Sequence, residues 1–306
     1  TEMMPTDAEA WARALDELSA RIHPVDRLAM RVWFRFFPLR LAELVEGATD
    51  RAALERTLRL EGRYRLGDQV DSSHWFLYGH RYWAAVKTQL ARIDTAGAVP
   101  AALASVVQEV ASHAADAVEA DVSLLVGISA VAVMTRQQVG DRAFSGPGGP
   151  GGGVPAGETS PDEICSSRRR DDAQGVFGVF RGERRRYSVW FDERRPDGRF
   201  PIINQQHVTT AAAADTREYA YDRGYSQNGP IPAQCRSGSC GTCWVGVLGG
   251  AERLSQVERL EARRLKECGY LDDAEGTPFI RLACMARAAG NVTIVIPPWN
   301  GFVGKL

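Results

Sequence analysis

The chain has 306 residues, of which 44% are hydrophobic and 25% are charged, and its formal net charge at pH 7 is −1. This length allows two domains of ordinary size, and the composition is normal for a folded globular protein. Acidic and basic residues are close to balance in both halves of the chain. We therefore expect no nucleic-acid partner, because such proteins carry a strongly basic surface.

The most apolar segment covers residues 122–134. A membrane-spanning helix needs about 20 apolar residues, so we expect no membrane span and interpret this segment as a buried helix. The first residues are polar and acidic and lack the features of a secretory signal. Cysteines arranged for metal binding favour a reducing compartment, and the expected location is the cytoplasm.

Residues 1–140 predict helices throughout, because apolar residues recur at helical spacing and hardly any alternation of strand type interrupts them. Thr6 and Glu9 form a capping box for the first helix, and prolines suit the first turn of later helices. We expect an all-α helical bundle. Its helices are predicted to begin near Thr6, Pro24, Asp50, His80, Pro100 and Asp121.

Residues 145–157 are almost entirely Gly and Pro, which predicts a flexible linker. The polar segment that ends at residues 168–172 extends the linker, so we assign it to residues 141–174. The arginine run in this segment is interpreted as solvated, because two aspartates follow it. Cys165 lies in the same stretch and is expected to be a free, exposed thiol.

Beyond residue 175 the pattern changes to the period of two that is typical of strands. Two strands, a helix, a strand, a second helix and two closing strands are predicted in that order, with a hairpin turn at residues 196–198. Trp244 begins the third strand, and we expect it to pack in the core. A capping box from Ser255 to Glu258 is predicted to start the second helix. The predicted elements are Arg186–Phe191, Phe200–Val208, Thr210–Tyr221, Trp244–Leu248, Ser255–Gly269, Ile280–Ala283 and Val292–Ile296.

Three cysteines lie within nine residues, and a fourth follows at a distance. The spacing C-x4-C-x2-C with a later Cys is typical of the ligands of a plant-type [2Fe–2S] cluster. A disulfide framework spreads its cysteines over the fold, and zinc sites usually repeat a C-x2-C pair. Small residues between the ligands let the backbone curl around a cluster and direct N–H groups at its sulfurs. The six residues between the ligands, which are predicted to contact the cluster, are Arg236, Ser237, Gly238, Ser239, Gly241 and Thr242. For Arg236, a solvent-facing loop residue is an equal alternative.

The motif and the later segments Arg281–Arg287 and Val292–Pro297 closely resemble the plant- and adrenodoxin-type [2Fe–2S] ferredoxins over roughly residues 176–300. The resemblance implies a β-grasp fold for residues 175–306 and a bound [2Fe–2S] cluster. The iron ligands that it implies are Cys235, Cys240, Cys243 and Cys284. Cys268 also follows the triplet, but it ends the predicted helix, and we prefer Cys284 as the fourth ligand.

His74 and His80 lie six residues apart among aromatic residues, which could indicate haem or a metal. On a regular helix they would be about 120° apart, too far around for both to reach one metal. We favour an aromatic-rich packing or docking surface. No nucleotide-binding motif is present, since the glycine-rich segment lacks the Lys-Ser/Thr of a P-loop, and no catalytic residue is predicted.

These observations predict a non-catalytic electron-transfer subunit that uses its helical domain to dock to a larger oxidoreductase complex. Plant-type centres lie near about −400 mV, so a low-potential redox partner is expected. Because the ferredoxin half is nearly neutral, we expect no long-range steering by net charge. Two alternatives stay open: an enzyme whose helical domain holds a haem or metal reduced by the ferredoxin domain, and a redox sensor.

Overall fold

A computed structural model describes residues 8–36, 49–50, 70–93, 102–146, 159–170, 185–217, 229–267 and 278–296. The chain divides into two compact units, Thr1–Val154 and Pro155–Leu306. The boundary between the units falls within the Gly/Pro-rich stretch of residues 145–157.

All of the regular secondary structure in the described parts of the first unit is helical, as predicted. A short 3₁₀ helix, Tyr78–Tyr82, leads directly into α3. The α-helices of this unit are α1 Ala8–Ser19, α2 Pro24–Phe36, α3 Trp83–Leu90, α4 Leu103–Val118, α5 Ser123–Val139 and α6 Asp141–Phe144. The capping box at Thr6 and the helix predicted after Asp50 lie outside the described residues.

Helix α5 is the centre of the first unit. Almost all of its side chains are buried, and α2, α3 and α4 pack around it. A helix that is apolar on every face is stable only when neighbours cover it on all sides. The prediction of a buried helix is therefore confirmed. No helix in the described parts of the chain is long and apolar enough to cross a membrane.

Part of the predicted linker is an ordered helix. Ser160 and Glu163 form a capping box at the start of α7, Pro161–Arg169, and α7 packs on strand β4, Trp244–Gly249. Cys165 is buried, so the expectation of an exposed thiol was wrong. The capping signal Ser-Pro-Asp-Glu was overlooked because charged residues dominate the segment; the rest of the Gly/Pro stretch, residues 147–158, lies outside the described residues.

Besides β4, the described strands of the second unit are β1 Arg186–Trp190, β2 Arg199–Ile203, β3 Gln206–His207, β5 Ile280–Leu282, β6 Arg287–Ala288 and β7 Val292–Val295. They form a five-stranded mixed sheet in the order β2-β1-β7-β4-β5 and a two-stranded sheet of β3 and β6. Strand β1 pairs with β2 antiparallel and with β7 parallel, and β4 pairs antiparallel with both β7 and β5. This is the β-grasp arrangement that the resemblance implied.

Two helices complete the unit, α8 Val208–Ala213 and α9 Arg259–Glu267. Helix α9 begins four residues after the predicted N-cap, Ser255. The hydroxyl of Ser255 instead accepts a hydrogen bond from the Arg287 N–H at 3.1 Å, and its own N–H donates to the Arg287 carbonyl at 2.7 Å. The capping-box prediction was wrong because this residue joins strand β6 and does not cap the helix.

Candidate metal centre

The segment from Cys235 to Cys243 is a tight loop that leads into β4. Its backbone takes left-handed angles at Arg236 (φ 55°), Gly238 (φ 78°) and Gly241 (φ 70°). A Cβ atom on Gly238 would lie 3.1 Å from the Sδ atom of Met285. Glycine is favoured there both because it adopts this angle without steric cost and because nothing larger fits easily.

Pairing of β4 with β5 brings the distant cysteine to the loop. Trp244 lies opposite Leu282, and the Ala283 N–H donates to the Cys243 carbonyl at 3.0 Å. The thiol of Cys243 lies within hydrogen-bonding reach of the sulfur of Cys284, two residues beyond the end of β5. Cys243 and Cys284, which we call the inner pair, are 2% and 4% exposed.

Cys235 and Cys240 form a second pair, the outer pair, which is half-exposed. The sulfurs are therefore arranged two by two. A [2Fe–2S] cluster requires such an arrangement, because its four cysteines are shared between two irons. Within the described residues, no group of three or more His, Cys, Asp or Glu is placed to hold a metal ion.

Hydrogen-bond donors converge on these sulfurs. The N–H groups of Ser237 and Cys240 lie 3.4 and 3.3 Å from the Cys235 sulfur, and the Ser239 side chain also bonds it. The Gly238 N–H points to the Cys284 sulfur. The Thr242 hydroxyl lies 3.2 Å from the Cys240 sulfur and accepts from the Gln234 N–H at 3.0 Å.

The donors favour thiolates, which are the form that binds iron. Burial alone would raise the pKa of Cys235, but the hydrogen bonds from Ser239, Ser237 and Cys240 outweigh it and lower the pKa to about 5. In the inner pair, the Cys243 thiol donates to Cys284. This bond raises the pKa of Cys243 and lowers the pKa of Cys284. The local environment thus favours the thiolate form of Cys235 and Cys284 and the thiol form of Cys243.

The other predicted residues have different positions. Gly241 supplies a left-handed turn between the two pairs. Arg236 is exposed, and among the described contacts its side chain makes no hydrogen bond to a sulfur. Trp244 is fully buried, which confirms that it belongs to the core. Cys268, the alternative fourth ligand, lies outside the described residues.

Sequence reasoning missed a buried ion pair next to the site. Glu261 on α9 accepts two hydrogen bonds from Arg281 on β5, at 2.8 and 2.9 Å, and a third from the Leu282 N–H at 2.9 Å. Both side chains are almost completely buried. The pair fixes α9 to the strand that ends two residues before Cys284. Its only signal in the sequence was a Glu in a segment otherwise rich in Arg and Lys.

The two histidines of the first unit lie closer together than predicted. The rings of His74 and His80 are 4.9 Å apart between centroids, and the His74 ring lies tilted by 44° against the Trp83 ring, with a centroid distance of 3.9 Å. The predicted angle of about 120° between them applies to one regular helix, and it does not hold here because His74 lies in the turn before the 3₁₀ helix. Burial, followed by the nearby charges of His80 and Lys87, holds the pKa of His74 well below its usual value. His74 is therefore a neutral side chain within aromatic packing.

Comparisons with known proteins agree with this geometry. Residues 202–289 match the family described as "2Fe-2S iron-sulfur cluster binding domain", a range that includes all four paired cysteines. A protein named "Ferredoxin" from Bacillus thermotolerans is 39% identical over 64 residues, which are 21% of this chain and 47% of that protein. The chain thus spans about half the length of this curated relative. No solved structure matches the chain significantly. The second unit therefore contains a 2Fe-2S ferredoxin domain at residues 202–289, and this domain binds a [2Fe–2S] cluster.

Proposed function

We propose that the chain is an electron-transfer protein in which Cys235, Cys240, Cys243 and Cys284 hold the [2Fe–2S] cluster. The observation that carries the proposal is the two-by-two arrangement of sulfurs within a shell of hydrogen-bond donors. When bound, the cluster supplies one-electron chemistry by cycling between its 2+ and 1+ states.

The residues of the chain have three tasks in this function. The donors from Ser237, Gly238 and Thr242 stabilise negative charge on sulfur and so tune the reduction potential. The inner pair is buried next to a core that includes Trp244. It therefore keeps water from one side of the cluster. The half-exposed outer pair leaves an edge at which electrons enter and leave.

We also propose that the helical unit docks this carrier to a larger oxidoreductase complex in the cytoplasm. The Gly/Pro composition of residues 145–157 supports this role, because a flexible tether raises the local concentration of a carrier and still lets it move between sites. Gel filtration of a native extract tests it. Elution with other subunits is expected, and elution only as a free monomer would contradict a fixed complex.

Cysteine substitution tests the electron-transfer proposal. The purified chain should contain two irons and show the absorption and reduced-state EPR signals of a [2Fe–2S] protein. Exchanging any of the four paired cysteines for Ser should abolish or alter these signals. The matched controls are Cys165→Ser and Cys268→Ser, which should leave the signals unchanged. Loss of the signals in Cys268→Ser but not in Cys284→Ser would refute the proposed ligand set.

A further inference from the structure

An apolar spot lies at the edge of the cysteine loop. The side chain of Leu260, on the first turn of α9, is 49% exposed, the highest value among the exposed large hydrophobic residues of the described structure. A Cβ atom on Gly238 would lie 3.5 Å from Leu260 Cδ2 and 3.1 Å from Met285 Sδ. Leu260 and Met285 therefore flank the loop that carries the outer pair, and Met285 directly follows Cys284.

The same edge is basic. The exposed or half-exposed charged side chains of α9 are Arg259, Arg263, Arg264, Lys266 and Glu267, which are four basic residues and one acidic residue. The only other acidic residue of the helix, Glu261, is buried against Arg281. Arg236 adds a further exposed cation on the loop itself. A chain that is nearly neutral as a whole thus has a concentrated positive charge next to its cysteine loop.

The carboxylates that the structure describes near this edge do not cancel its charge. Glu267 is shared between Arg263 and Arg264, at 2.8 and 3.1 Å. Glu258, just before the helix, pairs with Arg287 at 3.1 Å. Within the described contacts, Arg236 and Arg259 form no ion pair. Arg236 is two residues from Gly238, and Arg259 adjoins Leu260, so these two cations flank the apolar contact.

We propose that Leu260, Met285, Arg236 and Arg259, which we call the cluster-edge patch, form the docking surface for a redox protein with an acidic rim around an apolar centre. The arginines would attract and orient such a partner, since complementary charge chiefly raises the association rate. The apolar centre would then exclude water at the contact. At about 0.15 M salt, charges act over roughly 8 Å, so a partner responds to this patch and not to the net charge of the chain.

This inference rests on the proposed electron transfer, and stopped-flow kinetics tests it with two haem proteins of opposite charge. The reduced full-length chain is mixed with ferric cytochrome b5, which is acidic, or with ferric cytochrome c, which is basic; one electron passes from the chain to each haem. The rate constant with cytochrome b5 should fall about tenfold as salt rises from about 0.02 to about 0.5 M. The rate with cytochrome c should not fall. The opposite pattern would overturn the inference.

Substitutions locate the effect on the molecule. The double variant Arg236→Glu/Arg259→Glu should react about tenfold more slowly with cytochrome b5 at low salt, and the difference should vanish at high salt. Leu260→Ser should slow the reaction at every salt concentration. The controls are Arg142→Glu, an exposed arginine of the first unit, and Val122→Ser, a valine that is 44% exposed there. Measuring midpoint potentials in parallel separates a changed driving force from changed docking, and equal effects in the controls would refute the patch.

Cross-linking gives a readout that does not depend on electron transfer. The chain has only three lysines, Lys87, Lys266 and Lys305, and a carbodiimide joins lysine amines to carboxylates. Links from cytochrome b5 carboxylates should form at Lys266 on α9. Links only at Lys87 or Lys305 would overturn the inference. Oxidation by a neutral quinone separates the two proposals: if it fails, electron transfer itself is refuted, and if it proceeds while the salt dependence is reversed, only the docking surface is refuted.

Discussion

The buried pair between Glu261 and Arg281 should contribute more to stability than any exposed ion pair of the second unit. Glu261 accepts three hydrogen bonds at 2.8–2.9 Å, and both side chains are buried. Glu261→Gln leaves the Arg281 guanidinium as an uncompensated buried charge. Breaking such a pair on one side costs about 3–5 kcal/mol. For a unit of this size each kcal/mol shifts the melting temperature by about 2–4 °C, so we expect a decrease on the order of 10 °C.

Thermal denaturation of the cluster-loaded chain, followed by circular dichroism and by the visible absorbance, measures this decrease. The visible signal should be lost early in Glu261→Gln, because Arg281 precedes Cys284 by three residues on the segment leading from β5. The double variant Glu261→Leu/Arg281→Met should recover much of the loss, since an apolar pair of similar volume avoids the desolvation cost. Glu267→Gln, which breaks only exposed pairs, is the control. A melting temperature of Glu261→Gln within about 2 °C of the native chain would refute the expected role of the pair.

Two further predictions concern single side chains. Thr242→Val removes the hydroxyl that lies 3.2 Å from the Cys240 sulfur. Because a hydrogen-bond donor to sulfur favours the more negative reduced state of the cluster, the midpoint potential should fall by about 40 mV, the equivalent of about 1 kcal/mol. The control, Thr88→Val in the first unit, should not change the midpoint potential. His74 is buried with a lowered pKa, so below about pH 6.5 the unfolded chain binds a proton that the folded chain does not, and stability should fall by up to about 1.4 kcal/mol per pH unit. Urea titrations of the helical circular dichroism signal between about pH 7 and pH 5 should show that His74→Phe removes this dependence and that replacing the exposed His113 does not.

Each of these two predictions has an outcome that would refute it. A potential that rises, or does not change, in Thr242→Val would show that the hydroxyl does not donate to the Cys240 sulfur. A pH dependence that persists in His74→Phe would place the titrating group elsewhere in the first unit.

The parts of the fold that the sequence predicted are those in which local pattern and burial agree. Helix α5 is apolar on every face and lies at the centre of its unit. Strand β2 alternates between exposed and buried side chains, with Phe200 and Ile202 in the core, and its hairpin partner β1 buries Val189. In such segments the period of the side chains decides the element, and tertiary contacts only confirm it.

The predictions failed where long-range contacts override a local signal. Ser255 has the sequence of an N-cap, but its hydroxyl accepts a hydrogen bond from the backbone N–H of Arg287 on strand β6. Cys165 lies in a charged segment, yet α7 turns it inward onto the sheet. The ion pair between Glu261 and Arg281 joins residues 20 positions apart. No pattern within a single segment contains information about these contacts.

The candidate metal centre depends both on local sequence pattern and on long-range contacts. The outer pair lies within a loop of nine residues, so its geometry follows from local backbone angles at Arg236, Gly238 and Gly241, and its spacing is visible in the sequence. The inner pair depends on the β4–β5 register, which places Cys284 beside Cys243 across a long intervening segment. For this reason the closing ligand could be proposed only by resemblance. The same division accompanies the exposure of the two pairs, because Cys235 and Cys240 lie in the outer part of the loop and are half-exposed, whereas Cys243 and Cys284, which adjoin β4 and β5, are buried. In the ligand set that we propose, this asymmetry provides the entry point for electrons, and it follows from which cysteines adjoin the strands and which lie in the middle of the loop.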